Sequence, residues 1–197
     1  MAAPMVAATA TSATGPAPSR ETTVTTPDGL PLHVELWRPP ATANAVGSAV
    51  MIHGFSAHSG NYRHVAQGLA QAGIATWLYD SRGHGRSQGR RGFVRRFSDY
   101  SDDLGQVLAA VRAESGAGPV ALIGHSQGAT VALDYLTTGR EPVAALVLAT
   151  PWLALKMKVP AVKLVLSRLM GGVWPTLPEA VKAAILTTVE SLAGQSL

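Results

Sequence analysis

Short apolar runs alternate with segments of helical spacing through the middle of the chain. The apolar runs are rich in Val, Ile, Leu and Ala, as is typical of strands buried on both faces of a sheet. They cover residues 48–52, 74–79, 120–123 and 143–149. Helical periodicity covers residues 62–72, 98–114 and 127–137 between them. This order predicts an α/β fold, a doubly wound and mostly parallel sheet with helices on both faces.

The pattern also predicts how the sheet begins and which helix faces are buried. Residues 22–26 and 32–37 are extended, and the turn Pro27-Asp28-Gly29 between them predicts a β-hairpin. The first helix is expected to bury one face, which carries Val65, Leu69 and Ala72. The second helix, with Ser98 as its N-cap, is expected to bury a longer stripe, made of Tyr100, Leu104, Val107, Leu108 and Val111.

The two ends of the chain differ from this core. Residues 1–20 are rich in Ala, Thr, Ser and Pro and predict a disordered tail rather than a signal peptide. Residues 21–150 form the predicted core. Residues 151–197 contain two amphipathic segments, 156–170 and 178–192, with no strand between them. The run 143–149 is therefore expected to be an exposed, apolar edge strand.

Composition narrows the possible functions. A chain of 197 residues, 47% apolar, suffices for one domain with a core. The absence of cysteine excludes disulfides, thiolate metal ligands and a cysteine nucleophile. No apolar segment is long enough to predict a membrane span, so the expected location is the cytoplasm, with at most peripheral contact with a membrane or lipid interface.

The positive charge is concentrated in one stretch. The net charge is +4, and much of the excess comes from six arginines. They are Arg82, Arg86, Arg90, Arg91, Arg95 and Arg96. This stretch is typical of a solvated basic loop, and attraction to an anionic lipid surface is a second interpretation. No basic run alternates with aromatic residues, so nucleic acid is not an expected partner.

The strongest chemical signal is the sequence Gly124-His125-Ser126-Gln127-Gly128. It has the form G-x-S-x-G and lies between a predicted strand and a predicted helix. A strand that turns sharply into a helix holds the serine in a strained conformation with its hydroxyl exposed, and the glycines leave room for neighbouring chain. Ser126 is therefore the predicted nucleophile. The alternative is a turn in which Ser126 only caps the helix.

Two backbone amides are the predicted oxyanion donors. The Gln127 N–H begins the helix after the nucleophile, where it points toward developing negative charge. The second donor is expected from the loop after the strand 48–52, which reads His53-Gly54-Phe55, so that Phe55 supplies the N–H. For His53 and His125, a structural role is favoured over proton transfer.

Several blocks of sequence resemble one branch of the α/β-hydrolases. They are 53–62 (HGFSAHSGNY), 80–89 (DSRGHGRSQG), 97–104 (FSDYSDDL) and 124–128 (GHSQG). Together they resemble the monoacylglycerol lipase and lysophospholipase branch, which is similar to serine aminopeptidase S33. The likeness runs from about residue 47 to 165. It departs at Gln127, where methionine is common, and this change keeps the backbone N–H.

The resemblance implies an α/β-hydrolase fold and an esterase mechanism. The substrate class would be esters with a single acyl chain, and no cofactor or metal would be needed. Residues 151–197 would be the start of a helical lid. Asp80, although it ends a strand, would be structural, and Arg82 and His84 would fix their loop. An aspartate nucleophile, as in dehalogenases and epoxide hydrolases, is disfavoured because position 126 is serine.

The acid and base of a complete triad are not found after Ser126. All six histidines precede it, and the family places the base after the last strand. The sequence thus predicts a C-terminally truncated hydrolase that lacks the last strands. Three hypotheses follow. The chain is a carboxylic-ester hydrolase of this type, it is an inactive remnant that acts at most as a binding or interaction module, or a second chain supplies the missing strands, acid and base.

Overall fold

Six strands form one mixed sheet in the computed structural model, which describes residues 17–153. The strands are β1 (Arg20–Thr25), β2 (Pro31–Trp37), β3 (Gly47–Ile52), β4 (Ile74–Tyr79), β5 (Val120–His125) and β6 (Ala145–Ala149). The helices are α1 (Arg63–Gln71), α2 (Ser98–Ser115) and α3 (Gln127–Thr137), and a 3₁₀ turn, Ser59–Tyr62, precedes α1. The strand order is β1-β2-β4-β3-β5-β6.

The four central and late strands are parallel, so their carboxyl ends meet at one edge. Ile52 pairs with both Tyr79 and Gly124, and His125 pairs with Ala149. The loops that follow these strands therefore lie together. In open α/β sheets this is the edge where ligands bind. The predicted doubly wound, mostly parallel α/β sheet is confirmed.

The larger part of the core lies between the sheet and helices α2 and α3. The predicted stripe of α2, from Tyr100 to Val111, is fully buried there, which confirms that prediction. A smaller apolar cluster lies on the other face of the sheet, against α1. The predicted face of α1 is right only in part: Val65 packs half-buried against this cluster, but Ala66 and Ala70 are the buried residues and Ala72 is exposed. Small side chains let this helix lie close to the sheet, and the larger apolar residues flank the contact.

The predicted hairpin is confirmed. β1 and β2 are antiparallel, and Gly29 adopts φ 80° in the turn between them, where the Thr26 N–H bonds to the Leu30 carbonyl. β1 begins at Arg20, within the predicted tail. Residues 1–16, and the predicted helices 156–170 and 178–192, lie outside the described residues.

The sequence made two further predictions, the N-cap of α2 and an edge strand at β6. Ser98 is not the N-cap of α2; Phe97 occupies that position, and the Asp99 carboxylate accepts the Arg96 N–H instead. Among residues 17–153, β6 is an edge strand as predicted, with the Val147 side chain 52% exposed. None of the described helices is long and apolar enough to cross a membrane.

Candidate active site

The turn between β5 and α3 holds Ser126 in an unusual backbone conformation. Its φ is 53° and its ψ is −119°. A residue with a side chain at such angles carries strain, which persists only where the surrounding structure enforces it. The Ser126 side chain makes no capping hydrogen bond to α3, so the alternative of a simple helix cap is not supported.

Three glycines allow this turn to form, because a side chain would clash at Gly124 and Gly128 and would be crowded at Gly54. A Cβ on Gly124 would lie 2.5 Å from the Cα of Ala129, and one on Gly128 would lie 2.3 Å from the Ile52 carbonyl oxygen. Gly54, on the loop after β3, would place a Cβ 3.2 Å from the Cβ of Ser126. The loop after β3 therefore lies directly against the turn, as the glycine spacing predicted.

The end of β6 and the segment that follows it bind the same turn through their backbones. The Ser126 N–H donates to the Ala149 carbonyl at 2.9 Å, and the Ser126 carbonyl accepts the Trp152 N–H at 3.4 Å. The Thr130 hydroxyl donates to the Trp152 carbonyl at 2.7 Å. The backbone of Ser126 is thus held from two directions, by β6 and by the segment that follows it.

The predicted oxyanion donors lie on either side of this contact. Phe55 follows Gly54, and Gln127 is the first residue of α3. Within residues 17–153, neither amide donates a hydrogen bond to another group of the protein. The Phe55 side chain is 56% exposed, and its ring meets the His84 ring edge-on at 5.6 Å between centroids.

His53 is buried and fully bonded. Its Nε2 accepts the Ser81 N–H at 2.9 Å, so Nδ1 carries the proton and donates to the Gly54 carbonyl at 2.7 Å. Burial, opposed by the Gly54 carbonyl and assisted by the nearby His84 ring, lowers the pKa of His53 to about 4. A neutral ring held at both nitrogens joins the loop after β3 to the loop after β4.

His125 is joined to the glycine loop through Tyr62. The Tyr62 hydroxyl lies 2.9 Å from His125 Nδ1 and accepts the Gly54 N–H at 3.4 Å. One hydroxyl thus connects both neighbours of the predicted site, the residue before Ser126 and the residue before Phe55. Sequence reasoning noted Tyr62 only as part of a motif. No local signal could reveal the contact, because Tyr62 and His125 lie far apart in the chain.

Asp80 organises the loop between β4 and α2. Its carboxylate is buried and accepts the Ser59 N–H at 2.6 Å and the Arg86 N–H at 2.7 Å. Gly85 passes so close that a Cβ there would lie 2.2 Å from the carboxylate. Both carboxylate oxygens are therefore used in shaping the backbone, in agreement with the structural role that the resemblance implied.

Arg82 and His84 fix the same loop. The Arg82 guanidinium binds both oxygens of buried Asp103, at 2.5 and 2.6 Å, and reaches Asp28 at 3.0 Å. The Asp103 carboxylate, followed by Asp28, holds the pKa of Arg82 above its ordinary value. His84 Nδ1 bonds to the Arg82 carbonyl at 3.0 Å, and its ring lies between those of His53, Phe55 and Tyr100.

One cluster has a composition that could hold a metal ion. Ligand atoms of Glu21, His33 and Glu35 lie within 4.8 Å of one another. The Arg63 guanidinium, however, binds both Glu35 oxygens, at 2.6 and 2.9 Å, and Arg86 binds Glu21 at 2.8 Å. Burial would raise the pKa of Glu35, but the Arg63 bonds lower it overall. The carboxylates here are neutralised by arginine.

Comparisons with known proteins agree with this fold. The family described as serine aminopeptidase S33 (Hydrolase_4) matches residues 43–191, so the chain belongs to this family of α/β-hydrolases. Within it, the chain is similar to the monoacylglycerol lipase branch. Monoacylglycerol lipase of Mycolicibacterium smegmatis is 29% identical over 150 residues, and monoglyceride lipase of Homo sapiens is 33% identical over 144 residues.

The matches cover most of this chain and about half of each relative. The Mycolicibacterium alignment covers 76% of this chain and 53% of the relative, and the human alignment covers 69% and 46%. The crystal structure of Paleococcus ferrophilus monoacylglycerol lipase matches with a TM-score of 0.58 and 27% identity. It covers 73% of this chain and 52% of that structure. The chain therefore spans about half the length of the relatives that it matches.

Proposed function

We propose that Ser126 is the nucleophile of a carboxylic-ester hydrolase. The observation that carries the proposal is its backbone conformation, φ 53° and ψ −119°, on a turn where three glycines leave no room for side chains. Strain of this kind persists only where the surrounding structure enforces it, and it is common at functional sites. It is typical of the nucleophile turn of α/β-hydrolases, which exposes a serine hydroxyl above the sheet.

The Phe55 and Gln127 amides are the proposed oxyanion donors. Attack of the Ser126 Oγ on an ester carbonyl would place negative charge on the carbonyl oxygen. Two amides without other partners among the described residues are free to receive this charge. Loss of one such donor typically costs about 10²–10³ in kcat. Collapse of the tetrahedral intermediate would expel the alcohol, and water would then release the acyl group from Ser126.

The proton transfers need a base that the described site does not supply. His53 is bonded at both nitrogens, and His125 Nδ1 is bonded to Tyr62. Within residues 17–153 no histidine hydrogen-bonds to the Ser126 hydroxyl. We therefore propose that hydrolysis at full rate requires an acid and a base from a second polypeptide or from further sequence of the same protein.

The proposed substrate class is small lipid esters with a single acyl chain. Support comes from the names of the relatives, which include monoacylglycerol lipases and a Bacillus subtilis phospholipase. Monoacylglycerols and lysophospholipids both belong to this class. A cytoplasmic location, expected from the sequence, stays a prediction.

Covalent labelling tests the nucleophile directly. A fluorophosphonate probe should modify Ser126 slowly in the 197-residue chain alone and faster when the C-terminal half of a relative supplies an acid and a base, with the adduct located by peptide mass spectrometry. Ser126→Ala should abolish the adduct, and Ser56→Ala, at the other strained serine of this edge (φ 59°), is the matched control. Labelling at another serine would exclude Ser126 as the nucleophile. So would the absence of any labelling when the C-terminal half of a relative is present.

The second candidate is an inactive module that binds esters without cleaving them. The observation that favours it is the set of occupied histidine nitrogens around Ser126. An assay of p-nitrophenyl butyrate hydrolysis distinguishes the enzyme from the binding module. Labelling together with turnover supports the enzyme, whereas fatty-acid or ester binding without turnover, even after the C-terminal half of a relative is added, supports the binding module.

A further inference from the structure

Three arginines of the loop between β4 and α2 carry charge that no described acidic group balances. We call Arg90, Arg91 and Arg95 the arginine rim; all three are exposed. The other arginines of the loop form ion pairs, Arg82 with Asp103 and Asp28, Arg86 with Glu21, and Arg96 with Asp99. Asp80, the loop's own acidic residue, is buried and bound by backbone amides. The rim therefore presents net positive charge to solvent.

The loop that carries the rim is held in place. The Gly92 N–H donates to the Gly83 carbonyl at 3.1 Å, so the chain folds back on itself next to Arg90 and Arg91. The His33 N–H donates to the Ser87 hydroxyl at 2.8 Å, which fastens the loop to β2. Since the backbone is already ordered, binding through the rim would cost little further backbone entropy.

The rim lies beside exposed aromatic side chains at the edge of the sheet that carries Ser126. A Cβ on Gly92 would lie 3.9 Å from Cζ of Phe55, so the turn of Arg90 and Arg91 borders the Phe55 ring. The Phe55 side chain is 56% exposed and that of Phe97 is 37% exposed. Cationic groups next to exposed aromatic rings suit the boundary between lipid headgroups and acyl chains.

We propose that the arginine rim docks the protein on an anionic lipid surface. The rim has the sign of charge that acidic headgroups attract, and the neighbouring phenylalanines have the apolar surface that the headgroup boundary accepts. Docking in this way would turn the carboxyl edge of the sheet, and Ser126 with it, toward the membrane. The inference concerns binding only, so it stands or falls independently of the proposed hydrolysis.

Co-sedimentation with vesicles tests the proposal. The full chain should bind vesicles of phosphatidylcholine and phosphatidylglycerol, and should bind pure phosphatidylcholine far more weakly. A basic residue near an anionic surface contributes about 1 kcal/mol, which is about fivefold in affinity, so Arg90→Gln, Arg91→Gln and Arg95→Gln together should weaken binding about 100-fold. Raising salt from roughly 0.1 M to 1 M, which shortens the screening length from about 10 Å to 3 Å, should release the protein.

A matched triple variant controls for net charge. Arg20→Gln, Arg38→Gln and Arg140→Gln remove the same charge from surface ion pairs with Glu114 and Asp102, and should keep near-native vesicle binding. Circular dichroism confirms that both variants fold. The proposal is overturned if the rim variant binds as tightly as the native chain, if the control loses as much affinity, or if anionic vesicles are not bound at all. Equal competition by a DNA duplex would also overturn it, because the rim would then bind any polyanion.

Discussion

The turn at Ser126 and the loop from Asp80 to Phe97 border the same edge of the sheet but are held by different forces. The turn depends on close backbone contacts at glycines, on the hydrogen bond that the Ser126 N–H donates to Ala149, and on the one that Trp152 donates to the Ser126 carbonyl. The loop depends on buried charges, Asp80 on backbone amides and Asp103 on Arg82. The turn should therefore be sensitive to added volume, and the loop to the loss of charge.

The largest effect should come from adding one methyl group to the turn. In Gly128→Ala the new Cβ would lie 2.3 Å from the Ile52 carbonyl oxygen, and a backbone oxygen cannot move away easily. We expect a loss of about 3 kcal/mol in the free energy of unfolding, measured by chemical denaturation. Gly68→Ala, in α1 with nothing within 4 Å, is the control and should stabilise by about 0.5–1 kcal/mol. Equal stability of the two variants would mean that packing does not enforce the turn.

A comparable loss should follow when the loop loses a buried charge. Asp103→Asn leaves Arg82, 12% exposed, with only the exposed carboxylate of Asp28. Removing one partner of a buried pair costs about 3 kcal/mol. The neighbouring substitution Asp102→Asn breaks an exposed pair with Arg140 and should cost less than about 1 kcal/mol. Similar losses in the two variants would show that burial does not strengthen the Arg82 pair.

Acid should weaken the junction between the loop after β3 and the loop after β4, which His53 holds together. Its pKa is about 4 in the folded protein, against an ordinary value of 6.5, so the unfolded chain binds the proton more readily. The contribution of His53 to the free energy of unfolding should therefore be present in full above pH 6.5, and it should fall by about 3 kcal/mol as the pH decreases to 4. His53→Gln should flatten the dependence of unfolding free energy on pH in this window, whereas His64→Gln, on the exposed side of α1, should leave it as in the native protein. An unchanged slope in His53→Gln would rule out this source of acid sensitivity.

The smallest expected effect is at Tyr62. Tyr62→Phe removes the hydroxyl that connects Gly54 and His125, and should cost about 1 kcal/mol in thermal or chemical denaturation. A double-mutant cycle with His125→Asn should give less than additive losses, because both substitutions remove the same bond. Additive losses would mean that the two residues act independently.

Much of this arrangement follows from the sequence because it rests on local pattern. The apolar runs that form β3, β4 and β5 are each paired with a neighbouring strand on both edges. The G-x-S-x-G spacing predicts the turn at Ser126. The predicted buried face of α1 was displaced by one residue, because hydropathy favours Val65 and Leu69, whereas close approach to the sheet favours Ala66 and Ala70. The Ser98 cap was wrong because the helix begins one residue earlier, at the N-cap Phe97, and the Asp99 carboxylate accepts the Arg96 N–H before the helix.

The charged loop shows what sequence alone does not reveal. Its arginines predict a solvated surface, and this is correct for the arginine rim. Arg82 instead lies in a network whose acidic partners, Asp28 and Asp103, come from distant parts of the chain. The resemblance pointed to a structural role for Arg82, but the identity of its partners depends on the fold. The link from Tyr62 to His125 escapes prediction for the same reason.

The hydrogen bonds that join Ser126 to Ala149 and Trp152 have a consequence for the order in which the chain folds during synthesis. The Ser126 N–H reaches Ala149 and the Ser126 carbonyl reaches Trp152, both of which are synthesised well after the turn itself. A nascent chain that ends before Ala149 has β5 and α3 but lacks the two bonds that hold the serine from the side of β6. The full set of backbone bonds around Ser126 can therefore form only after Ala149 and Trp152 have been synthesised.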